Sequence, residues 1–152
     1  MIRGPGNYPH NYLCDHNLRK SSLLSLSRCA DQLYREVKLL RLMGDSAYFP
    51  SLVGMISTSP SIIQEFLGDP ATGKSTTLGQ QLAAAQDITK ENWLRIIQDI
   101  GKGLRHMHGK GYLHIDLHLH NIVICRQPHN TRPRAKIVDL GAARELRNTS
   151  VF

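Results

Sequence analysis

The sequence predicts an α+β fold, with helical and strand patterns in separate stretches of the chain. Three observations predict it. Apolar residues recur at helical spacing in two stretches, Leu33, Val37 and Leu40 within residues 30–43 and Trp93, Ile96, Ile97, Ile100, Leu104 and Met107 within residues 90–108. Two runs rich in β-branched and aromatic residues, Phe49–Ile56 and Ser61–Leu67, lie between them and read as strands. A further apolar pair, Ile122-Val123-Ile124 and Ile137-Val138, follows the second helix and reads as two more strands. With 152 residues, 41% of them hydrophobic and 20% charged, the chain suffices for one ordinary domain with its own core and falls among globular sequences.

In chain order, residues 1–20 hold Gly4-Pro5-Gly6 with several Asn, Tyr and His and read as a loop. The helix over 30–43 follows. Gly68-Asp69-Pro70-Ala71-Thr72-Gly73-Lys74-Ser75 is loop-forming in composition. The second helix has Thr89 as a candidate N-cap and Glu91 at its electropositive start. Lys102, Arg105, His106 and Lys110 suit its far end, and Gly109 or Gly111 is placed to stop it. Residues 126–135, polar and basic, read as a surface loop joining the last two strands.

Bulk properties exclude several classes. The net charge of +7 is spread along the chain without a basic run, and the basic loop at 126–135 lacks aromatic residues, so no nucleic-acid partner is expected. The three cysteines, Cys14, Cys29 and Cys125, are odd in number, widely spaced and without a CxxC pair, which points to a reducing compartment and a cytoplasmic location. No apolar leader opens the chain, and Leu23-Leu24-Ser25-Leu26 is too short to span a bilayer. No internal repeat is visible.

The chemistry concentrates in His114-Ile115-Asp116-Leu117-His118-Leu119-His120-Asn121 and Lys136-Ile137-Val138-Asp139-Leu140-Gly141. Together, HxDLxxxN, an apolar strand and DxG resemble the catalytic and metal-binding loops of the protein kinase family. Phosphoryl transfer needs a carboxylate near the attacking hydroxyl and hard oxygen ligands for Mg²⁺ on the phosphates. The resemblance implies that Asp116 is the catalytic carboxylate and that Asn121 and Asp139 are the metal ligands. His118 joins Asp116 as a catalytic candidate, standing where protein kinases have Lys, Arg or Ala. Ile115 stands where most have Arg, and Leu140 where most have Phe.

The same resemblance implies a two-lobed fold truncated at both ends, with residues 1–67 the remnant of the small lobe and hinge and 68–152 the start of the large lobe. Glu36 takes the position that pairs with a phosphate-binding Lys, for which Lys20 is the candidate. Gln64 guards the back of the nucleotide pocket, the backbone of Glu65 and Leu67 meets adenine, and Val123 joins these cofactor-binding residues. Leu40, Met55, His114 and Leu140 match four positions that stack through a kinase core. The implied ligands are ATP and Mg²⁺, and the implied partner is a protein substrate, Ser/Thr or Tyr unresolved.

Two other functions fit parts of the sequence. A kinase-shaped binding module without catalysis would follow from the missing Gly-rich loop. A P-loop nucleotidase would use Gly68–Ser75, which fits G-x-x-x-x-G-K-[ST], with Lys74 on the phosphates, Ser75 on Mg²⁺ and Asp139 nearby. His106, His108, His114, His118 and His120 also raise the question of zinc. His114 is read instead as a core residue bonded to backbone near Asp139.

Overall fold

The computed structural model describes residues 23–56, 61–69, 72–84, 88–127 and 130–146. The loop read over residues 1–20, and Lys20 with it, lies outside the described residues. Helix α1 spans Leu23–Met43. It therefore starts earlier than the apolar stripe at 30–43 indicates, in a Leu-rich stretch whose residues favour helix. It stops at Gly44, whose left-handed φ of 61° lets its amide turn back to the Leu40 carbonyl at 3.1 Å.

Strands β1 (Leu52–Ile56) and β2 (Ser61–Gln64) pair antiparallel, Leu52 opposite Gln64, with an irregularity next to Gly54. Helix α2 (Leu78–Ala83) begins at a capping box: Thr77 Oγ1 accepts from the Gln80 amide and the Gln80 side chain accepts from the Thr77 amide. Helix α3 (Lys90–Gly109) starts at Thr89 as the sequence indicates, with Thr89 Oγ1 accepting from the Asn92 amide. Gly109 is its last residue, and Gly111, at a φ of 82°, makes the turn that frees the chain. A short strand β3 (Tyr112–Leu113) pairs with β6 (Arg144–Glu145), and a 3₁₀ turn at Leu119–Asn121 leads into β4 (Ile122–Gln127).

Residues 126–135 correct the sequence reading. They are not a loop: β4 runs to Gln127, β5 spans Asn130–Ile137, and the two pair antiparallel from Ile122↔Ile137 to Gln127↔Asn130. Pro128, Pro133 and the surrounding Arg and Asn residues hid the strand because they suit turns. Pro133 is tolerated here because the ladder is irregular between Cys125 and Gln127. From Arg132 onward β5 alternates, with Pro133, Ala135 and Ile137 buried and the basic residues between them more open.

Two apolar cores result. The first joins Val37, Leu40 and Met43 of α1 to Phe49, Ile62, Met107, Ile137, Leu140 and Ala143, with Met55 packed against it. The second holds Leu78, Ile96, Ile122, Ile124 and Ala135. Helix α3 serves both, and its buried Asp99 ties it to β5 by accepting from Arg134 Nε at 3.0 Å and from the buried Ala135 amide at 3.2 Å. No helix among the described residues is long and apolar enough to cross a membrane.

Two outcomes follow from this packing. Asp99→Ala strands the buried Ala135 amide, so unfolding in urea should show a loss of about 1–3 kcal/mol, whereas Arg134→Ala, which leaves the amide bonded, should cost less. Cys125 is the second case. Burial pushes its thiol up to about 11, with Lys136 offsetting part of the effect. In a Cys14→Ser/Cys29→Ser protein the remaining thiol should therefore react slowly with iodoacetamide at pH 8–9 and quickly once denatured. Because the unfolded thiol ionises first, stability should fall as pH rises through 9.0 toward 11.

Candidate active site

The loop between β3 and β4 carries Asp116, His118 and Asn121, and the turn after β5 carries Asp139. Backbone pairing sets their relation. The Val138 amide donates to the Asn121 carbonyl at 3.0 Å, so the ladder of β4 and β5 continues into both loops. Buried Asn121 directs its side-chain Nδ2 to the Asp116 carbonyl at 2.9 Å, which holds the loop closed and leaves Oδ1 as the amide's acceptor. His114, 2% exposed, donates through Nε2 to the Val138 carbonyl at 3.0 Å. This matches the sequence reading of His114. Its Nδ1 is buried without a hydrogen-bond partner among the described residues.

Asp116 and Asp139 both present exposed side chains at this junction. His118 caps the 3₁₀ turn: its Nδ1 accepts from the His120 amide at 3.2 Å. In the neutral ring that leaves the proton on Nε2, which faces Asp116 Oδ2 at 3.8 Å. The Asp139 Oδ1 accepts from the Gly141 amide at 3.4 Å. Two non-glycine residues here have left-handed backbone, Ile115 (φ 70°) and Asp139 (φ 60°). For β-branched Ile115 this is a true outlier, and such strain, about 1–3 kcal/mol per residue, concentrates at functional sites. Each strained residue is flanked by an anchored neighbour: His114 and Asp116 around Ile115, Val138 and Gly141 around Asp139.

The other site candidates lie on α1, on β2 and the segment after it, and on β4. Glu36 is half-buried on α1, one turn before Leu40. Leu40 and Leu140 share the first core with Met55 at its edge, so three of the four expected stacking residues meet there and buried His114 lies against Val138. Gln64 ends β2 with Oε1 buried and unpartnered among the described residues. Leu67 is buried, and its carbonyl accepts from Ser75 Oγ at 2.7 Å; the Glu65 amide donates to the Ser51 carbonyl at 2.8 Å. Neither bond uses the Glu65 carbonyl or the Leu67 amide. Val123 is buried yet belongs to neither core, on the strand face opposite Ile122 and Ile124.

One residue escaped the sequence reading. Lys136 Nζ lies 2.6 Å from Glu65 Oε2 and donates to the Phe49 carbonyl at 3.1 Å, while the Ser51 amide donates to the same Glu65 oxygen. It ties the strand that leads to Asp139 to the segment after β2. The available signal was a single Lys inside the apolar run Ala135-Lys136-Ile137-Val138, which demands a buried partner.

In the Gly68–Ser75 motif, of which Pro70 and Ala71 lie outside the described residues, two backbone amides turn inward. The Asp69 amide donates to the Lys74 carbonyl and the Gly73 amide to the Asp69 carbonyl, both at 2.9 Å, so these donors close a hairpin turn. The next helix starts only at Leu78 with its own cap, whereas a P-loop places its Lys and Ser at the helix entry. Of the histidines, His106 Nε2 bonds the Met43 carbonyl while the His118 and His120 rings meet edge to face at 5.9 Å, and no group of three or more potential metal ligands occurs among the described residues.

Asp139 and Asn121 offer hard oxygen donors on adjoining loops, a donor set that suits Mg²⁺ rather than a soft metal. The family model of the protein kinase domain matches residues 16–152. No curated protein matches the chain. The match takes in both chemical loops, the helix bearing Glu36 and the segment between them, and the chain belongs to the protein kinase domain family.

Proposed function

We propose that the chain binds ATP with Mg²⁺ and transfers the terminal phosphoryl group to a hydroxyl of a protein substrate. The observation that carries this reading is the junction in which Asn121 bonds Asp116 with its side chain and Val138 with its carbonyl. It commits the two loops to one another and sets Asp116, Asn121 and Asp139 on neighbouring turns. In the two-lobed arrangement inferred here, residues up to Leu67 form the small lobe and hinge and those beyond begin the large lobe.

Asp116 accepts the proton of the attacking hydroxyl as its oxygen bonds phosphorus and ADP leaves. His118 stands beside that carboxylate, its Nε2 3.8 Å from Asp116 Oδ2. Asn121 Oδ1 and the Asp139 carboxylate hold the metal, which neutralises phosphate charge when bound. The Glu65 carbonyl and Leu67 amide meet the adenine edge, Val123 and Gln64 border the pocket, and Glu36 holds the phosphate-binding Lys. The hairpin form of Gly68–Ser75 favours this reading over a P-loop.

The test is a titration of MgATP alongside a transfer assay from labelled ATP to mixed peptides. Asp139→Asn should weaken MgATP binding, and Lys74→Ala should leave it unchanged. Asp116→Asn should retain binding and lose transfer by about a hundredfold or more. Loss of binding on Lys74→Ala alone would restore the P-loop. Tight MgATP binding with no transfer by the wild type would mark a kinase-shaped binding module.

A further inference from the structure

Helix α1 reaches the Asp139 turn at a second point besides the core. Gln32, Glu36 and Leu40 follow at i, i+4 and i+8, so they share one helix face. Leu40 packs with Leu140 in the first core. Gln32, two turns earlier, lies over Gly141: a Cβ placed on Gly141 would stand 2.7 Å from Gln32 Nε2 and 2.8 Å from its Cγ. Gly141 is not among the residues with left-handed φ. A Cβ there would oblige the exposed Gln32 side chain to leave its seat, whereas the backbone of Gly141 poses no barrier. The Asp139-Leu140-Gly141 turn is thus held from the core by α1 through Leu140 and from the side through Gln32.

The Gly141 amide is also the donor to Asp139 Oδ1, so a shift of Gly141 moves that carboxylate. Asp139 sits in the left-handed region, where its direction depends on what holds the turn. We infer that Gln32 is a positioning residue: its seat on Gly141 sets the Asp139 carboxylate for the metal-bound nucleotide. This rests on the reading of Asp139 as a metal ligand.

The experiment uses the full chain and trinitrophenyl-ATP, titrated in Mg²⁺ and again in EDTA. The difference between the two affinities reports the metal ligand, and the EDTA value reports the rest of the pocket. Coupling between touching residues runs from about twofold to about a hundredfold, so Gly141→Ala should lower the Mg²⁺-dependent part about tenfold with the EDTA value little changed. Gln32→Ala alone should lower it about threefold, and Gln32→Ala/Gly141→Ala should recover to that same level because the clash is gone. Gly101→Ala, where a Cβ meets nothing within 4 Å, controls for an added methyl. A double variant as weak as Gly141→Ala, or equal losses in EDTA, overturns the inference. If Gly141→Ala does not fold, an unchanged Mg²⁺-dependent affinity in Gln32→Ala overturns it equally. A wild type with no Mg²⁺-dependent part refutes the functional reading and the inference with it, whereas such a part without rescue refutes the inference alone.

Discussion

The arrangement of this protein depends on the hydrogen bonds that gather at Asn121 and Val138. The strand ladder of β4 and β5 ends there, and both chains continue into loops that have no regular pairing of their own. Asn121 closes one loop on Asp116 with its side chain and receives Val138 with its carbonyl; His114 takes the Val138 carbonyl from the other side. Buried amides and carbonyls left open cost more than their bonds return, so the satisfied junction is held rigidly. That rigidity lets Ile115 and Asp139 keep left-handed backbone next to it.

A second constraint comes from charge. Lys136 is nearly enclosed, at 12% side-chain exposure, and satisfied by Glu65 and the Phe49 carbonyl. An enclosed ion pair adds little net stability, because desolvation offsets the attraction. Its effect is on register: only one alignment of β5 against the segment after β2 gives Lys136 its partner. A slip by one residue would put the charge into the first core beside Ile62 and Leu140.

Much of this was legible in the sequence where local chemistry decides the outcome. The α3 limits followed from apolar spacing and Thr89, and His114 was readable as a core residue from its place in the kinase-like motif. The α+β class followed from the same patterns, and the family from the two loop motifs. What was illegible depends on distant partners. Glu65 and Lys136 are far apart in the chain, and nothing local pairs them. Strand β5 was hidden because its alternation is carried by Pro, Ala and Ile against Arg and Lys, a pattern that competes with turn composition. The G-x-x-x-x-G-K-[ST] match shows a second limit of local reading. A residue pattern does not say whether amides point outward to an anion or inward to carbonyls, and here those of Asp69 and Gly73 point inward.

The alternation in β5 has one more consequence, for association between chains. A hairpin exposes an outer strand whose free backbone groups can template pairing with another molecule. Pro133 removes one of those donors, and Ile137 spends its amide on the Tyr48 carbonyl at 2.8 Å. Ala135 spends its amide on Asp99 Oδ2 at 3.2 Å, so a second copy approaching in extended form would meet two donors already taken and one missing. Pro133, which helped to disguise the strand in the sequence, thus also makes its edge a poorer template for another copy.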